Sequence, residues 1–353
     1  MDWRDFLNKI DLKSFNLEEL KKLMVEIGEK SFRGQQIFNW IHQKNVESFQ
    51  DITVLSKELR DKLENKYKIT NLKIFKRFDS KIDNTKKYLF LLEDGNIIES
   101  VMMEYKHGVS VCLSTQVGCK MGCTFCASTK DGLIRNLTTG EILDQVYKIQ
   151  KDLNIKVSNI VLMGSGEPLD NYENVLKFLR IINHKHGQNI GYRHITLSTC
   201  GIVPNIYKLA DEKLPITLSI SLHATNDNER KKVMPITYKY SISEVIKACK
   251  YYIEKVNRRV TFEYTLIKGV NDTKENAKKL ANLLKGMLCH VNLIPLNPIK
   301  EVDYRSSNKK SVKNFKRELE NRGIKATIRR EMGRDINAAC GQLRRKYMES
   351  KKD

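Results

Sequence analysis

Three cysteines stand close together in Gly118-Cys119-Lys120-Met121-Gly122-Cys123-Thr124-Phe125-Cys126, spaced C-x3-C-x2-C. Their number is the informative part. A four-iron cubane that only passes electrons is held by four cysteine thiolates. Three thiolates leave one iron open to a small molecule, so the metal can act on a bound ligand. Two plainer readings stand beside this one. A structural zinc site takes four ligands, commonly from paired C-x2-C units, and no second pair lies nearby. Alternatively, the three thiols are small buried hydrophobes.

The elements that must position such a group are legible downstream of Cys126. Apolar segments at 159–163, 194–198, 216–222, 259–266, 290–295 and 325–329 alternate with charged amphipathic stretches such as 139–152 and 243–256. That alternation predicts parallel βα units. Six of them suggest an α/β fold of the partial (βα)6 barrel type, with chemistry on the loops after the strands' C-terminal ends. Those ends carry Met163-Gly164-Ser165-Gly166-Glu167-Pro168, Leu197-Ser198-Thr199-Cys200-Gly201, Ser219-Ile220-Ser221-Leu222-His223 and Asn292-Leu293-Ile294-Pro295-Leu296-Asn297-Pro298. Small residues let the backbone approach a ligand closely, and the other members bring hydroxyl, imidazole and amide groups to a barrel mouth. Taken alone, the glycine pair reads as a turn and His223 as a satisfied core histidine.

Upstream, residues 1–70 read as a helical accessory domain. Asn16 with Glu19 is a capping pair opening a helix over 17–27; residues 33–44 place Ile37, Trp40 and Ile41 on one face; residues 56–67 do the same with Leu59 and Leu63. The module reads either as an RNA-docking unit or as a packing appendage. From 72 to 113 the period switches to strands, with 86–92 and 97–105 flanking the Asp94-Gly95 turn of a hairpin. The expected division is 1–70 accessory domain, 71–104 hairpin connector, 105–343 catalytic core and 344–353 basic tail.

The chain has 63 Lys and Arg against 42 Asp and Glu, a formal charge of +21. An excess of that size draws phosphates, each neutralised phosphate adding a salt-sensitive increment to affinity. The alternative is a lysine-rich solvated surface inherited from an AT-rich genome. No run approaches the roughly 18 apolar residues of a membrane span, and the N-terminus lacks an export signal. Eight cysteines in 353 residues are too few for a disulfide scaffold, so a reducing, cytoplasmic location is expected, with no membrane partner.

The cysteine motif resembles the signature of the radical S-adenosylmethionine (AdoMet) superfamily, in which the open iron of a [4Fe-4S] cluster chelates AdoMet. The resemblance implies Cys119, Cys123 and Cys126 as metal ligands and Phe125 as the aromatic beside the adenine. Gly166-Glu167-Pro168 resembles the element that holds the AdoMet amino group. Val111-Cys112-Leu113-Ser114-Thr115-Gln116-Val117-Gly118, the 166–172 stretch, Ser221-Leu222-His223-Ala224 and Asp335-Ile336-Asn337-Ala338-Ala339-Cys340-Gly341-Gln342-Leu343 then look like the RlmN/Cfr family of radical AdoMet RNA methyltransferases, in family order from about 33 to 343.

An adenine C2 or C8 carbon is not a nucleophile, so direct displacement on AdoMet fails and a radical route with a carrier thiol is needed. The family resemblance implies that one AdoMet methylates Cys340 and a second yields a 5′-deoxyadenosyl radical that takes hydrogen from the S-methyl group. The methylene radical then adds to adenine, and Cys112 resolves the covalent adduct by attacking the Cys340 sulfur, leaving a disulfide that must be reduced. It also implies Gly166, Glu167, Ser198, Ser221, Leu222, His223 and Asn297 as AdoMet-binding residues. On bare spacing, Cys112 and Cys340 are buried small hydrophobes; Cys200, Cys249 and Cys289 carry no motif and read as structural. Glu99 shares a strand face with Ile97, Val101 and Met103, odd for a solvated carboxylate, and matches the family's proton acceptor; its plain reading is an edge charge reaching water. Desolvation there would raise its pKa.

The expected activity is methylation of adenine C2 in 23S rRNA near the peptidyl-transferase centre and in the tRNA anticodon loop. The protein is expected to be a monomer served by an external flavodoxin- or ferredoxin-type electron donor. Pro168 and Leu169-Asp170-Asn171-Tyr172 look like the C2 branch, although Ser165 departs from the methionine common there. Rival readings are C8 methylation, as in the antibiotic-resistance branch, a non-catalytic iron–sulfur RNA-binding protein, and a radical AdoMet reaction on another substrate.

Overall fold

The computed structural model describes residues 9–297, 303–339 and 341–343. Strand β1 (Ile10–Asp11) leads into helix α1 (Leu17–Glu26), whose start is fixed by a reciprocal cap: the Asn16 side chain accepts the Glu19 N–H and the Glu19 carboxylate accepts the Asn16 N–H. Helix α2 (Phe32–His42) lies so close to α1 that a Cβ on Gly34 would sit 2.5 Å from the Lys21 nitrogen; only glycine permits that approach. Ile37, Phe38 and Ile41 fill the core beneath, and Trp40, half-buried, packs against it with the Lys44 ammonium 3.5 Å above its ring. Helix α3 (Lys57–Lys66) buries Leu59 and Leu63 and runs into β2 (Tyr67–Lys68), which pairs with β1.

One ten-stranded sheet carries the rest. Strands β3 (Lys73–Asp79), β4 (Lys86–Leu91), β5 (Ile97–Tyr105) and β6 (Gly108–Cys112) form an antiparallel meander. A small hairpin, β7 (Gln116–Gly118) with β8 (Leu133–Asn136), encloses the cysteine loop and precedes α4 (Thr139–Leu153). There follow β9 (Val157–Leu162), α5 (Tyr172–Asn183), β10 (Ile195–Thr199), α6 (Val203–Asp211), β11 (Thr217–Ser221), α7 (Asp227–Val233) and α8 (Ile242–Val256). Strand β12 (Val260–Leu266), α9 (Lys274–Leu284), β13 (Cys289–Pro295), α10 (Lys309–Glu320) and β14 (Ala326–Ile328) complete it.

The sheet order is β14-β13-β12-β11-β10-β9-β6-β5-β4-β3, and every pair from β6 to β14 is parallel. This is the partial-barrel α/β arrangement that the alternation of strands and helices predicts, with one addition. The parallel run begins at β6, where Cys112 lies opposite Val161, so the cysteine motif follows the first parallel strand directly. In sequence, β6 reads as the third strand of the meander because it pairs antiparallel with β5 on its other side.

The helical unit is joined to the core by a buried polar seam. The Lys13 ammonium donates to Asp144 on α4 at 2.5 Å, with both side chains almost completely buried, and the other Asp144 oxygen accepts the Leu72 N–H at 2.7 Å. Beside them the His42 Nδ1 and the Tyr147 hydroxyl lie 2.9 Å apart.

Candidate active site

The cysteine loop is shaped by its hairpin. Cys119 N–H donates to the Gly132 carbonyl at 2.9 Å, and a Cβ on Gly118 (φ +77°) would overlap that carbonyl oxygen. The loop opens onto a cleft of about 160 Å³ at the C-terminal ends of the parallel strands, lined by Cys119, Cys123 and Cys126 together with Phe125. Burial pushes the Cys119 thiol up to about 12, and pushes Cys123 well up too, with Cys126 and Cys119 adding to it. Such thiols ionise only against strong positive charge, which metal supplies. Among the described residues no three thiol, imidazole or carboxylate groups gather tightly enough to hold a single metal ion. Three thiols around one cleft fit a cluster held by three thiolates with one iron open.

The facing wall is built from strand ends. Gly166 (φ +103°) lies where a Cβ would meet the Gln116 backbone nitrogen at 2.7 Å, and the Glu167 N–H donates to the Gln116 side chain at 2.8 Å. The Glu167 carboxylate accepts the Leu169 N–H at 3.0 Å and the Cys200 N–H at 2.8 Å; burial raises its pKa above the ordinary value even though these donors pull it down. Ser198, Ser221 and Asn297 line the cleft beside it. His223 sits in the left-handed region (φ +56°), its Nδ1 accepts the Thr265 N–H at 2.9 Å, and its ring packs edge-on to Phe125 at 4.8 Å. Burial and the nearby Arg230 charge depress its pKa to about 3, so the ring is neutral and carries its proton on Nε2. Leu222 is different: strand alternation turns its side chain into the main core, and it does not line the cleft.

Cys112 lines a second, smaller cavity of about 40 Å³, with Val101, Met103, Met332, Ala339 and Leu343, and packs in one apolar cluster with four of these. The two cavities share Met163, Ile294, Asn297 and Arg329 as a common wall. Cys340 lies outside the described residues. Its neighbours on either side line different cavities, Ala339 the second and Gly341 the first. The tail is tied down at several points: Ala127 N–H donates to the Gly341 carbonyl, the Ser128 hydroxyl to the Leu343 carbonyl, and Ser80 and the Lys81 N–H to Asp335. No disulfide joins two of the described cysteines.

Glu99 is buried, not an edge charge reaching water. It lines a third, small cavity behind the cysteine loop with Gln116, Gly118, Ala127 and Ser165, and the Lys87 ammonium lies 3.6 Å from its carboxylate. It does not line the Cys112 cavity, although Val101, two residues along the same strand face, pairs with Cys112. Of the unassigned cysteines, Cys249 is in the main core, whereas Cys200 lines the cleft.

Several cleft residues escaped the sequence reading. Glu263 on β12 accepts from Ser219 Oγ and Asn292 Nδ2, both at 2.8 Å, and lies 3.7 Å from the Arg329 guanidinium. The signal that singled out Glu99 is missing here, because the same-face neighbours of Glu263 on β12 are Thr261 and Thr265, so by alternation it reads as part of a polar strand face. Arg329, at the end of β14, faces both cavities, with its guanidinium 3.4 Å from Met163 sulfur.

Comparison with known proteins agrees with this geometry. The radical SAM superfamily pattern matches residues 113–281, and that of the ribosomal RNA large subunit methyltransferase N-terminal domain matches residues 10–69. A probable dual-specificity RNA methyltransferase RlmN of Clostridioides difficile is 61% identical over 96% of this chain and 98% of its own length. A second, from Alkaliphilus oremlandii, is 58% identical over 98% and 100%. The crystal structure of a radical SAM methyltransferase from Sphaerobacter thermophilus superposes with a TM-score of 0.91 at 43% identity, over 96% of this chain and all of that one. Members of this superfamily use a [4Fe-4S] cluster and AdoMet, which the three-thiol cleft fits. The chain belongs to the RlmN family of radical SAM RNA methyltransferases.

Proposed function

We propose that the protein methylates adenine C2 in 23S rRNA near the peptidyl-transferase centre and in the tRNA anticodon loop, through a methylated cysteine, with two AdoMet used per methyl transferred. The observation that carries this reading is the pair of adjoining cavities. One holds the three cysteines and the strand-end polar groups, the other holds Cys112, and the residues flanking Cys340 line one each. The relatives' name, dual-specificity RNA methyltransferase, supports two RNA substrates. The N-terminal unit at 10–69 and the +21 charge support RNA docking through the helical domain.

Cys119, Cys123 and Cys126 hold the cluster, and Glu167, Ser198, Ser221, His223 and Asn297 hold AdoMet, with Phe125 beside its adenine. When bound, these groups supply a one-electron route to breaking an unactivated C–H bond. The chain's own residues do the rest. Buried Glu167 accepts the ligand's amino group, and neutral His223 offers an N–H donor. Cys340 carries the methyl group. The Cys112 thiol, kept in an apolar cavity, is reserved for the step that frees the RNA by forming a Cys112–Cys340 disulfide. Glu99 is the proton acceptor of this reading, and since it lines neither of the two cavities, the proton from the adenine adduct reaches it through intervening groups. The enzyme works in the cytoplasm as a monomer, and a flavodoxin- or ferredoxin-type carrier delivers the electrons.

Nucleoside mass spectrometry of 23S rRNA and tRNA after anaerobic reaction with cluster-loaded protein tests this. The expected product is 2-methyladenosine from both RNAs. Formation of 8-methyladenosine would place the protein in the resistance branch, and no methylated adenosine from loaded protein would sink the reading.

A further inference from the structure

Arg230 is completely buried, the largest such side chain among the described residues. It belongs to the short helix α7, in Asn226-Asp227-Asn228-Glu229-Arg230-Lys231-Lys232, where the neighbouring charges face solvent. Its guanidinium donates to four neutral oxygens. Nη2 reaches the carbonyls of Cys200 at 2.6 Å and Ser221 at 3.0 Å, Nε the carbonyl of Leu222 at 3.1 Å, and Nη1 the Thr237 hydroxyl at 3.3 Å. Among the described residues no carboxylate bonds to it; Asp227, on the same helix, acts on it only through space and accepts the Ile242 N–H instead. A buried charge of that kind is costly unless an opposite charge lies close by.

The opposite charge is available on the other side of the carbonyls that Arg230 grips. Cys200 and Ser221 line the cysteine cleft. The Cys200 N–H is bound by Glu167 and its carbonyl by Arg230, so one residue separates the guanidinium from the Gly166–Glu167 turn. Val233 and Met234, at the end of the same helix, pack in one cluster with Cys119 and Cys123, and the Thr124 N–H donates to the Val233 carbonyl at 3.0 Å. A [4Fe-4S] core of charge two plus on three thiolates is singly negative, and doubly negative once it accepts an electron.

We propose that Arg230 is a positioning residue that supplies the fixed counter-charge for the iron–sulfur cluster, raising its reduction potential by stabilising the extra negative charge of the reduced state. The proposal rests on the cluster reading of the three cysteines. The step it affects is simple: one electron leaves an external low-potential one-electron donor, which is oxidised, and enters the cluster, with no bond made or broken. Because the interior screens charge weakly, a cation fixed behind the cleft acts more strongly on the doubly negative state than on the singly negative one.

Redox titration of the full-length, cluster-loaded protein, read by electron paramagnetic resonance without RNA, tests it. Arg230→Gln, which keeps hydrogen-bonding capacity but removes the charge, should lower the equilibrium constant for one-electron reduction at least tenfold, about 59 mV to more negative potential. Arg230→Lys, which keeps the charge but cannot span the three carbonyls, should stay nearer to wild type than Arg230→Gln. If Arg230→Gln loads no cluster while Arg230→Lys does, the charge requirement is supported at the loading step, as measured by iron and sulfide content. A wild-type potential in Arg230→Gln, or equal shifts or equal loading failure in both variants, would reduce the residue to a strut and overturn the proposal. A wild-type chain that takes up no four-iron cluster would overturn the cofactor reading itself.

Discussion

The seam between the helical unit and the core and the wall behind the cysteine cleft both bury positive charge, but they compensate it differently. At the seam, Lys13 meets Asp144, Asp144 also accepts from Leu72, and the set is closed within the protein. Behind the cleft, Arg230 is held by neutral oxygens, and burial keeps the Cys119 and Cys123 thiols protonated, so one cation and two latent thiolates are arranged around the cleft. Internally compensated buried charge marks architecture; buried charge aimed at a cleft without a protein partner marks a ligand site.

The comparison breaks most sharply at the cysteines. Cys123→Ala should leave a folded chain that binds no cluster and makes no methylated adenosine, as read by iron content and nucleoside mass spectrometry. At the seam the loss should fall on stability instead. Asp144→Ala strands the Lys13 ammonium in the interior and should cost about 3 kcal/mol in denaturant unfolding, with cluster uptake under native conditions unchanged.

A smaller effect is expected at Glu167, whose carboxyl burial holds above its ordinary value of 4.5. If the ionised form takes the AdoMet amino group, AdoMet affinity falls as pH drops through that raised pKa. Glu167→Gln should weaken binding about tenfold, roughly 1.4 kcal/mol, and flatten the dependence. Calorimetric titration across mildly acidic pH reads both effects.

Much of this contrast was legible in the sequence. The Cys119–Cys126 spacing and the strand-end strings at 163–168, 198–201 and 221–223 are local, so their residues arrive at one cleft wherever parallel strands end. The capping pair of α1 and the β4–β5 hairpin are local too. What escaped depends on partners far apart in the chain. Lys13 and Asp144 are 131 residues apart and neither belongs to a motif. Arg230 sits in a string of seven polar and charged residues that reads as a solvated helix, and only the fold shows that one of its charges turns inward. Leu222 fell within a motif string, yet strand alternation points its side chain into the core.

The smallest effect belongs to His42 at the seam. Burial, helped by Lys13, depresses its pKa from 6.5 to about 3. Between those values the unfolded chain binds a proton that the folded chain does not, so stability is lost as pH falls below about 6.5. Substitution at His42 gives up the 2.9 Å bond between Nδ1 and the Tyr147 hydroxyl, but Phe38 packs 4.5 Å from the ring and would accept another aromatic. His42→Phe should therefore change stability at neutral pH by only about 1 kcal/mol, while flattening its fall toward pH 5.

The account's central claim is that the cysteine cleft and the Cys112 cavity serve one reaction across their shared wall. Denaturing gel electrophoresis of labelled RNA with cluster-loaded Cys112→Ala protein and AdoMet tests it directly. Without the resolving thiol, RNA should remain covalently attached to the chain, and the attachment should vanish in Cys112→Ala/Cys340→Ala. Normal turnover by Cys112→Ala, with methylated RNA released and no adduct, would contradict it.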